Sequence, residues 1–161
     1  MARSPSGTPA LKALDQAGAG YRVHEYVHDP RERNFGLEAA AALGVPAERV
    51  FKTLLATDGT RLVVGVVPVD HALDLKALAA TLGAKRLAMA DPAAAERATG
   101  MVVGGISPVG QKRALPTVVD SSARRHETIF VSGGRRGLDV ELTLEDLVRV
   151  TRALVAPISA G

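Results

Sequence analysis

The sequence predicts an α+β domain in which short helices surround a mixed, partly closed sheet. Three observations lead there. Apolar, β-branched runs recur from position 50 onward, and two of them flank the hairpin signal Asp58-Gly59. Helix signatures are short and interrupt the strands without the regular alternation of βαβ units. No segment repeats another. The 161 residues suit a single core. Met1 to Gly7 reads as a short flexible tail without the apolar region of a secretory signal, ahead of one domain over 8–161.

The elements follow in order. Thr8-Pro9 opens a helix, with Thr8 as cap and Pro9 in the first turn, and Leu11, Leu14 and Ala17 share a face. Tyr21 to Val27 alternates without a clean apolar side, which suits a sheet edge or a cleft wall. Asp29 to Arg33 is a charged loop, and an Ala-rich helix over Leu37–Leu43 ends at Gly44. Val50 to Ala56 is a strand. Arg61 to Val69 returns as an almost wholly apolar strand, buried on both faces. Asp74–Leu82 is a helix stopped by Gly83, and Lys85–Ala90 reads as a strand. Asp91 caps a helix that starts at Pro92 and runs to Ala98. Met101–Val103 reads as a short strand entering the Gly104-Gly105 loop. Thr117–Asp120 and Thr128–Val131 are strands, Ser132–Gly137 a tight loop, and Leu138–Leu142 the strand that pairs back. Thr143 with Asp146 resembles a capping box for the last helix, which runs to about Thr151.

Composition narrows the chemistry. Hydrophobic content is 47% but aromatics are 3%, so Ala, Val and Leu must build the core. The chain has no Cys, which excludes disulfides, thiolate metal sites and a cysteine nucleophile, and fits a reducing, cytoplasmic location. No apolar run approaches the roughly 20 residues of a membrane span. The net charge is only +3, but six basic residues against two acidic ones lie between Gly104 and Arg136. A local basic field of this kind suits a polyanion, and equally a solvated arginine-rich surface.

One residue stands out. Lys52 puts an ammonium into the strand Val50 to Ala56, a run otherwise suited to the interior. It is available as a Schiff-base amine, a general base or a fixed cation for a phosphate or ribose hydroxyl; the alternative is a lysine snorkelling from a strand end. His24 and His28 are four apart but on a strand or loop rather than a helix, and His71 and His126 are isolated, so no metal is expected. Ser107 lacks the strand-turn-helix context of a nucleophile elbow. The glycine-rich loops Gly104-Gly105 and Ser132-Gly133-Gly134 offer backbone N–H groups to an anion, though each also reads as a tight β-turn. Basic residues follow both: Lys112 and Arg113 after the first, Arg135 and Arg136 after the second.

Taken together, Asn34-Phe35-Gly36, Val50 to Leu54, Leu73 to Lys76, the run Gly104 to Lys112 and the run Val131 to Asp139 resemble the YbaK/EbsC family, free-standing aminoacyl-tRNA deacylases related to the editing domain of bacterial prolyl-tRNA synthetases. The likeness covers Thr8 to the end of the last helix and is nearest the YbaK branch, the Cys-tRNA(Pro) deacylases. It implies a mostly antiparallel, partly barrel-like sheet, no cofactor, and tRNA(Pro) mischarged with cysteine as substrate. Its key lysine falls on Lys52, and its pocket falls on Tyr26, Thr53, Gly104, Gly105, Ser132 and Asp139, with Ser107 and Gly133 from the same loops. Lys112, Arg113, Arg135 and Arg136 are the candidate tRNA contacts, and prolyl-tRNA synthetase is a candidate partner. In the implied mechanism the substrate's own thiol attacks its carbonyl, which explains a chain without a visible nucleophile. The alternatives are a water-using deacylase for another small residue such as alanine, a non-catalytic aminoacyl-tRNA-binding module, and a hydrolase with Lys52 as covalent amine.

Overall fold

The computed structural model describes residues 7–161; all of the expected tail except Gly7 lies outside the described residues. Five helices, α1 (Pro9–Gln16), α2 (Phe35–Leu43), α3 (Leu75–Leu82), α4 (Pro92–Thr99) and α5 (Leu144–Thr151), surround the sheets. A three-stranded antiparallel sheet has the order β1 (Arg22–Glu25), β8 (Leu138–Leu142), β7 (Ile129–Arg135). A five-stranded mixed sheet has the order β5 (Ala88–Met89), β2 (Phe51–Thr57), β3 (Leu62–Pro68), β6 (Thr117–Asp120), β9 (Leu154–Ala156). Within it β2 is antiparallel to β3 and β5, while β3–β6 and β6–β9 are parallel. β4 (Ala72–Leu73) pairs with β10 (Ser159–Ala160). A single bridge between Val50 and Phe130 joins the two large sheets, so the sheet is mixed and partly closed.

Helix ends are set locally. Thr8 Oγ1 accepts from the Leu11 N–H and also donates to the Gly133 carbonyl at 2.6 Å, which ties α1 to β7. Asn34 caps α2 by accepting from Leu37, so the helix begins at Phe35, two residues before the expected start. Thr143 accepts from the Asp146 N–H, but the Asp146 carboxylate turns to Gly20 and Arg149, so only half of a capping box forms. Asp91 occupies the cap position of α4 without a side-chain bond.

Leu11 and Leu14 of α1 are fully buried with Ile129, Val131, Leu138 and Val140 of β7 and β8, and this cluster forms the floor beneath the site. The small side chains let helix and sheet approach closely. Gly36 illustrates the limit: a Cβ there would run into the Val69 side chain. Gly36→Ala should therefore cost about 1–3 kcal/mol and displace the start of α2, measurable by urea unfolding.

Three expectations change. Met101–Val103 is not a strand. Thr99 Oγ1 accepts from the Met101 N–H, the Glu96 carboxylate accepts from the Val103 N–H, and Gly104 turns the chain at φ +89°. Lys85–Ala90 narrows to β5, because β2 offers it pairing only at Ala56 and Thr57. Ser132–Gly137 is mostly strand: β7 continues to Arg135 through a bulge, with Gly134 at φ +105° absorbing the register shift.

Candidate functional site

β2 pairs with β3 along its whole length on one side. On the other side strand pairing is limited to the Val50–Phe130 bridge just before β2 and to Ala56 and Thr57 with β5, where the Ala90 N–H also donates to the Leu55 carbonyl. Between those points no strand pairs with it, and a cleft of about 570 Å³ lies along the gap. The opening runs past Lys52, Thr53 and Leu54 and is closed by α2, the Val103–Ile106 loop and the ends of β7 and β8.

Lys52, Tyr26, Thr53, Gly104, Ser132 and Asp139 all line this cleft. Lys52 is half-buried and forms no hydrogen bond or ion pair with another described residue; burial lowers its pKa, and the Asp70 carboxylate opposes that shift. Thr53 Oγ1 is buried without a hydrogen-bond partner. Asp139 is 5% exposed and has no described partner. Burial pushes its carboxyl up to about 7. Tyr26 is raised to about 12, chiefly by burial and then by the charges of Asp139 and Glu38, so its phenol stays a neutral donor. A buried polar group without a partner costs free energy. Thr53 Oγ1 is the one such fully buried atom among the described residues; it shares the cleft with the half-buried Lys52 and the mostly buried Asp139, whose side chains also have no hydrogen-bond partner, and the three together suit a polar ligand.

The other expected site residues lie elsewhere. Ser107 is fully buried off the cleft, where its hydroxyl accepts from the Val109 N–H. The Gly105 N–H donates to the Val102 carbonyl at 2.8 Å, and its Cα packs on the Arg135–Arg136 backbone. Gly133 packs on Leu138. Gly104 alone of the first glycine pair faces the cleft. Arg135 is paired with Glu25 at 2.7 Å. Arg136 donates to the Val103 carbonyl and lies 4.7 Å above the Phe35 ring. Both arginines brace the cleft mouth. Lys112 and Arg113 are exposed and form no ion pair with a described residue.

Phe35 is the wall residue that sequence reasoning missed as a site member. Its ring packs on Gly104, where a Cβ would approach it to 2.7 Å, and sits 5.6 Å from the His28 ring. His28 is bonded to Glu38 at 2.7 Å, and the other Glu38 oxygen accepts from the Asp29 N–H, which pins α2 over the cleft. The signals in the sequence were its place in the Asn34-Phe35-Gly36 motif and the scarcity of aromatics, with three phenylalanines in the chain.

A wider groove of about 780 Å³ beside Arg49 and Glu141 is a different case. Glu141 there is already bonded to His24 and Thr128 and paired with Arg49. No serine or threonine hydroxyl among the described residues is hydrogen-bonded to a histidine, and no group of three or more His, Asp or Glu is placed to hold a metal ion. No described helix is long and apolar enough to cross a membrane.

Fold and cleft thus define a mixed-sheet α+β domain with a polar, lysine-bearing pocket and, among the described residues, no hydroxyl–histidine pair. The chain belongs to the aminoacyl-tRNA editing domain family, matched over residues 36–150. It is 34% identical to EbsC of Enterococcus faecalis, described as a candidate Cys-tRNA(Pro)/Cys-tRNA(Cys) deacylase, over 94% of this chain and 93% of the relative. It is 26% identical to the multifunctional Ser/Thr-tRNA deacylase ProXp-y of Escherichia coli, over 88% of this chain and 86% of that one. A crystal structure of a candidate trans-editing enzyme for prolyl-tRNA synthetase matches with a TM-score of 0.86 at 27% identity, over 99% of this chain and 100% of that one.

Proposed function

We propose that this protein is a trans-acting aminoacyl-tRNA deacylase that removes cysteine from mischarged tRNA(Pro) in the cytoplasm. The observation that carries the reading is the convergence of Lys52, Asp139 and the buried, unpartnered Thr53 hydroxyl in one cleft, with no serine or threonine hydroxyl bonded to a histidine among the described residues. The relative EbsC supports cysteine, and the trans-editing structure supports a link to prolyl-tRNA synthetase, which we propose as a partner.

In this reading the protein places the ester and the substrate supplies the attack. Asp139 accepts the α-ammonium of the aminoacyl group. Lys52 holds the ribose hydroxyl or phosphate of the terminal adenosine as a fixed cation. The side-chain sulfur attacks the carbonyl carbon, the ester C–O bond breaks, and the ribose oxygen leaves with the thiol proton as a four-membered thiolactone forms. Holding sulfur and carbonyl together supplies the rate, with charge stabilisation from the cleft.

Deacylation of Cys-, Ser- and Ala-tRNA(Pro) tests the proposal. Cys-tRNA(Pro) should be cleaved at least about tenfold faster than Ser-tRNA(Pro), because only sulfur is a good internal nucleophile near neutral pH. Equal rates would remove the thiol mechanism. They would favour a second reading, water-using Ser/Thr deacylation, for which the unpartnered Thr53 hydroxyl and the ProXp-y likeness speak.

A further inference from the structure

The loop after α4 carries Gly104 into the cleft wall. Its flanks are buried, with Met101 at 4% and Ile106 at 8% exposure, but Val102 between them is 50% exposed. Hydrogen bonds as well as packing therefore set the path in between, and each backbone group can be followed to its partner. The Val102 carbonyl accepts from the Gly105 N–H at 2.8 Å. The Val103 N–H donates to the Glu96 carboxylate at 2.8 Å. The Val103 carbonyl accepts from Arg136 Nε at 2.9 Å. The Gly104 N–H has no partner among the described residues, and Gly104 lines the cleft.

These groups belong to consecutive peptide planes. In the Val102–Val103 plane both the carbonyl and the N–H are bonded. In the Val103–Gly104 plane the carbonyl is bonded and the N–H is free. No peptide bond of the described chain is cis, and in a trans plane the N–H and the C=O point in opposite directions. By holding the Val103 carbonyl, Arg136 thus fixes the direction of the Gly104 N–H. The guanidinium is itself held: it lies 4.7 Å over the Phe35 ring, and the Arg135–Arg136 backbone packs against Gly105. Glu96 fixes the preceding plane from α4, and Thr99 one turn later accepts from the Met101 N–H.

We infer that Glu96 and Arg136 are positioning residues: they hold the Val103–Gly104 peptide so that its free N–H donates to the carbonyl oxygen of the bound aminoacyl ester. Their role rests on the proposed function, which puts that ester in the cleft. A donor held there stabilises the negative charge that grows on the oxygen during attack. Neither side chain lines the cleft, so each acts through the peptide it bonds. Arg136, expected from the sequence as a tRNA contact, then serves the geometry of the site instead. Gly104 itself cannot be replaced cleanly, because its φ is +89° and a Cβ would come within 2.7 Å of Phe35.

The test therefore goes through the two side chains, on two substrates: the cysteinyl ester of adenosine, and the same ester on an RNA minihelix. Glu96→Ala removes the acceptor, Glu96→Gln keeps one, and Arg136→Met keeps an apolar stem over Phe35 without the donor. Thermal melts verify the fold of each. Glu96→Ala and Arg136→Met should lower kcat about 30-fold on both substrates with KM within about threefold, since a misaimed group costs rate rather than binding. Glu96→Gln should keep kcat within about threefold of wild type, because an amide oxygen accepts the same bond. A loss confined to KM for the minihelix would make Arg136 an RNA contact and overturn the positioning role. Equal losses in Glu96→Gln and Glu96→Ala would also overturn it, because charge and not the bond would then matter, as would lowered melts with kcat intact. If the wild type cleaves neither ester, the proposed function fails. The hold on the peptide is then read from the Gly104 amide resonance in heteronuclear NMR spectra. That resonance should move in Glu96→Ala and Arg136→Met and stay in Glu96→Gln; no movement in any variant overturns the inference.

Discussion

Lys52→Ala is expected to lower deacylation of Cys-tRNA(Pro) by about 10²- to 10³-fold while leaving the protein folded. That is the scale for removing one fixed stabilising group from an acyl-transfer site. Folding should be unharmed because the ammonium makes no hydrogen bond or ion pair with a described residue, and its desolvation already disfavours the charged form. Lys52→Met, which keeps the stem and removes the charge, should melt no lower than wild type. Arg at the same position keeps the charge on a larger planar head, and should recover binding better than rate. Circular dichroism melts beside single-turnover kinetics separate the two effects. Full activity in Lys52→Ala would show that the cleft works without its cation and would remove the site assignment.

Asp139→Asn should have two opposite effects, and pH separates them. Burial raises the carboxyl to about 7, against about 3.9 in an unfolded chain. Below about pH 4 both states are protonated and burial adds no ionisation penalty. Between about pH 4 and 7 the unfolded chain ionises while the folded chain keeps its proton, so stability falls as pH rises. Above about 7 the penalty is complete, at most about 4 kcal/mol for a shift near three units. Asparagine cannot ionise. The variant should gain roughly 2 kcal/mol over wild type at pH 8 and almost nothing at pH 4. Urea unfolding at the two values measures this, and an equal difference at both would show that the carboxyl is not depressed in acidity by its surroundings.

Activity should move the other way. If ionised Asp139 receives the α-ammonium, kcat/KM rises with pH through about 7 in wild type, and that limb disappears in Asp139→Asn along with about 10²-fold of the rate. A residue that lowers stability at neutral pH yet serves the ligand is the pattern expected of a binding site. It also explains why Asp139 and the Thr53 hydroxyl stay without a hydrogen-bond partner in the cleft while the other buried polar side chains of the described chain are bonded.

Much of the architecture was legible because it depends on local signals. Thr8-Pro9, the Asp58-Gly59 hairpin, the buried return strand and the Thr143 cap all act within a few residues. The misread segments depended on distant partners. Met101–Val103 has strand-forming residues but no strand beside it; Thr99 and Glu96 take its N–H groups instead. Ser132–Arg135 has turn-like glycines, but β8 lies alongside and a bulge lets pairing continue. The cleft shows the same division. Lys52 was visible as a charge in an apolar strand, whereas the place of Phe35 in the cleft wall became visible only when α2 and the Gly104 loop were folded against β2.

By itself the sequence determined most of the element types, the family, and the singular position of Lys52 within Val50 to Ala56. It did so because patterning, caps and motif spacing are properties of neighbours along the chain. Tertiary structure alone decided which polar groups remain unsatisfied. Ser107, Gly105, Arg135 and Arg136 have the residue types of a binding site, yet their bonding capacity is engaged by groups brought to them through the fold. Lys52 and Thr53 lie on β2 between the Val50 bridge and the Ala56–Thr57 pairing, Asp139 reaches the same cleft from β8, and no side chain of the described residues bonds theirs, which leaves them free for a ligand.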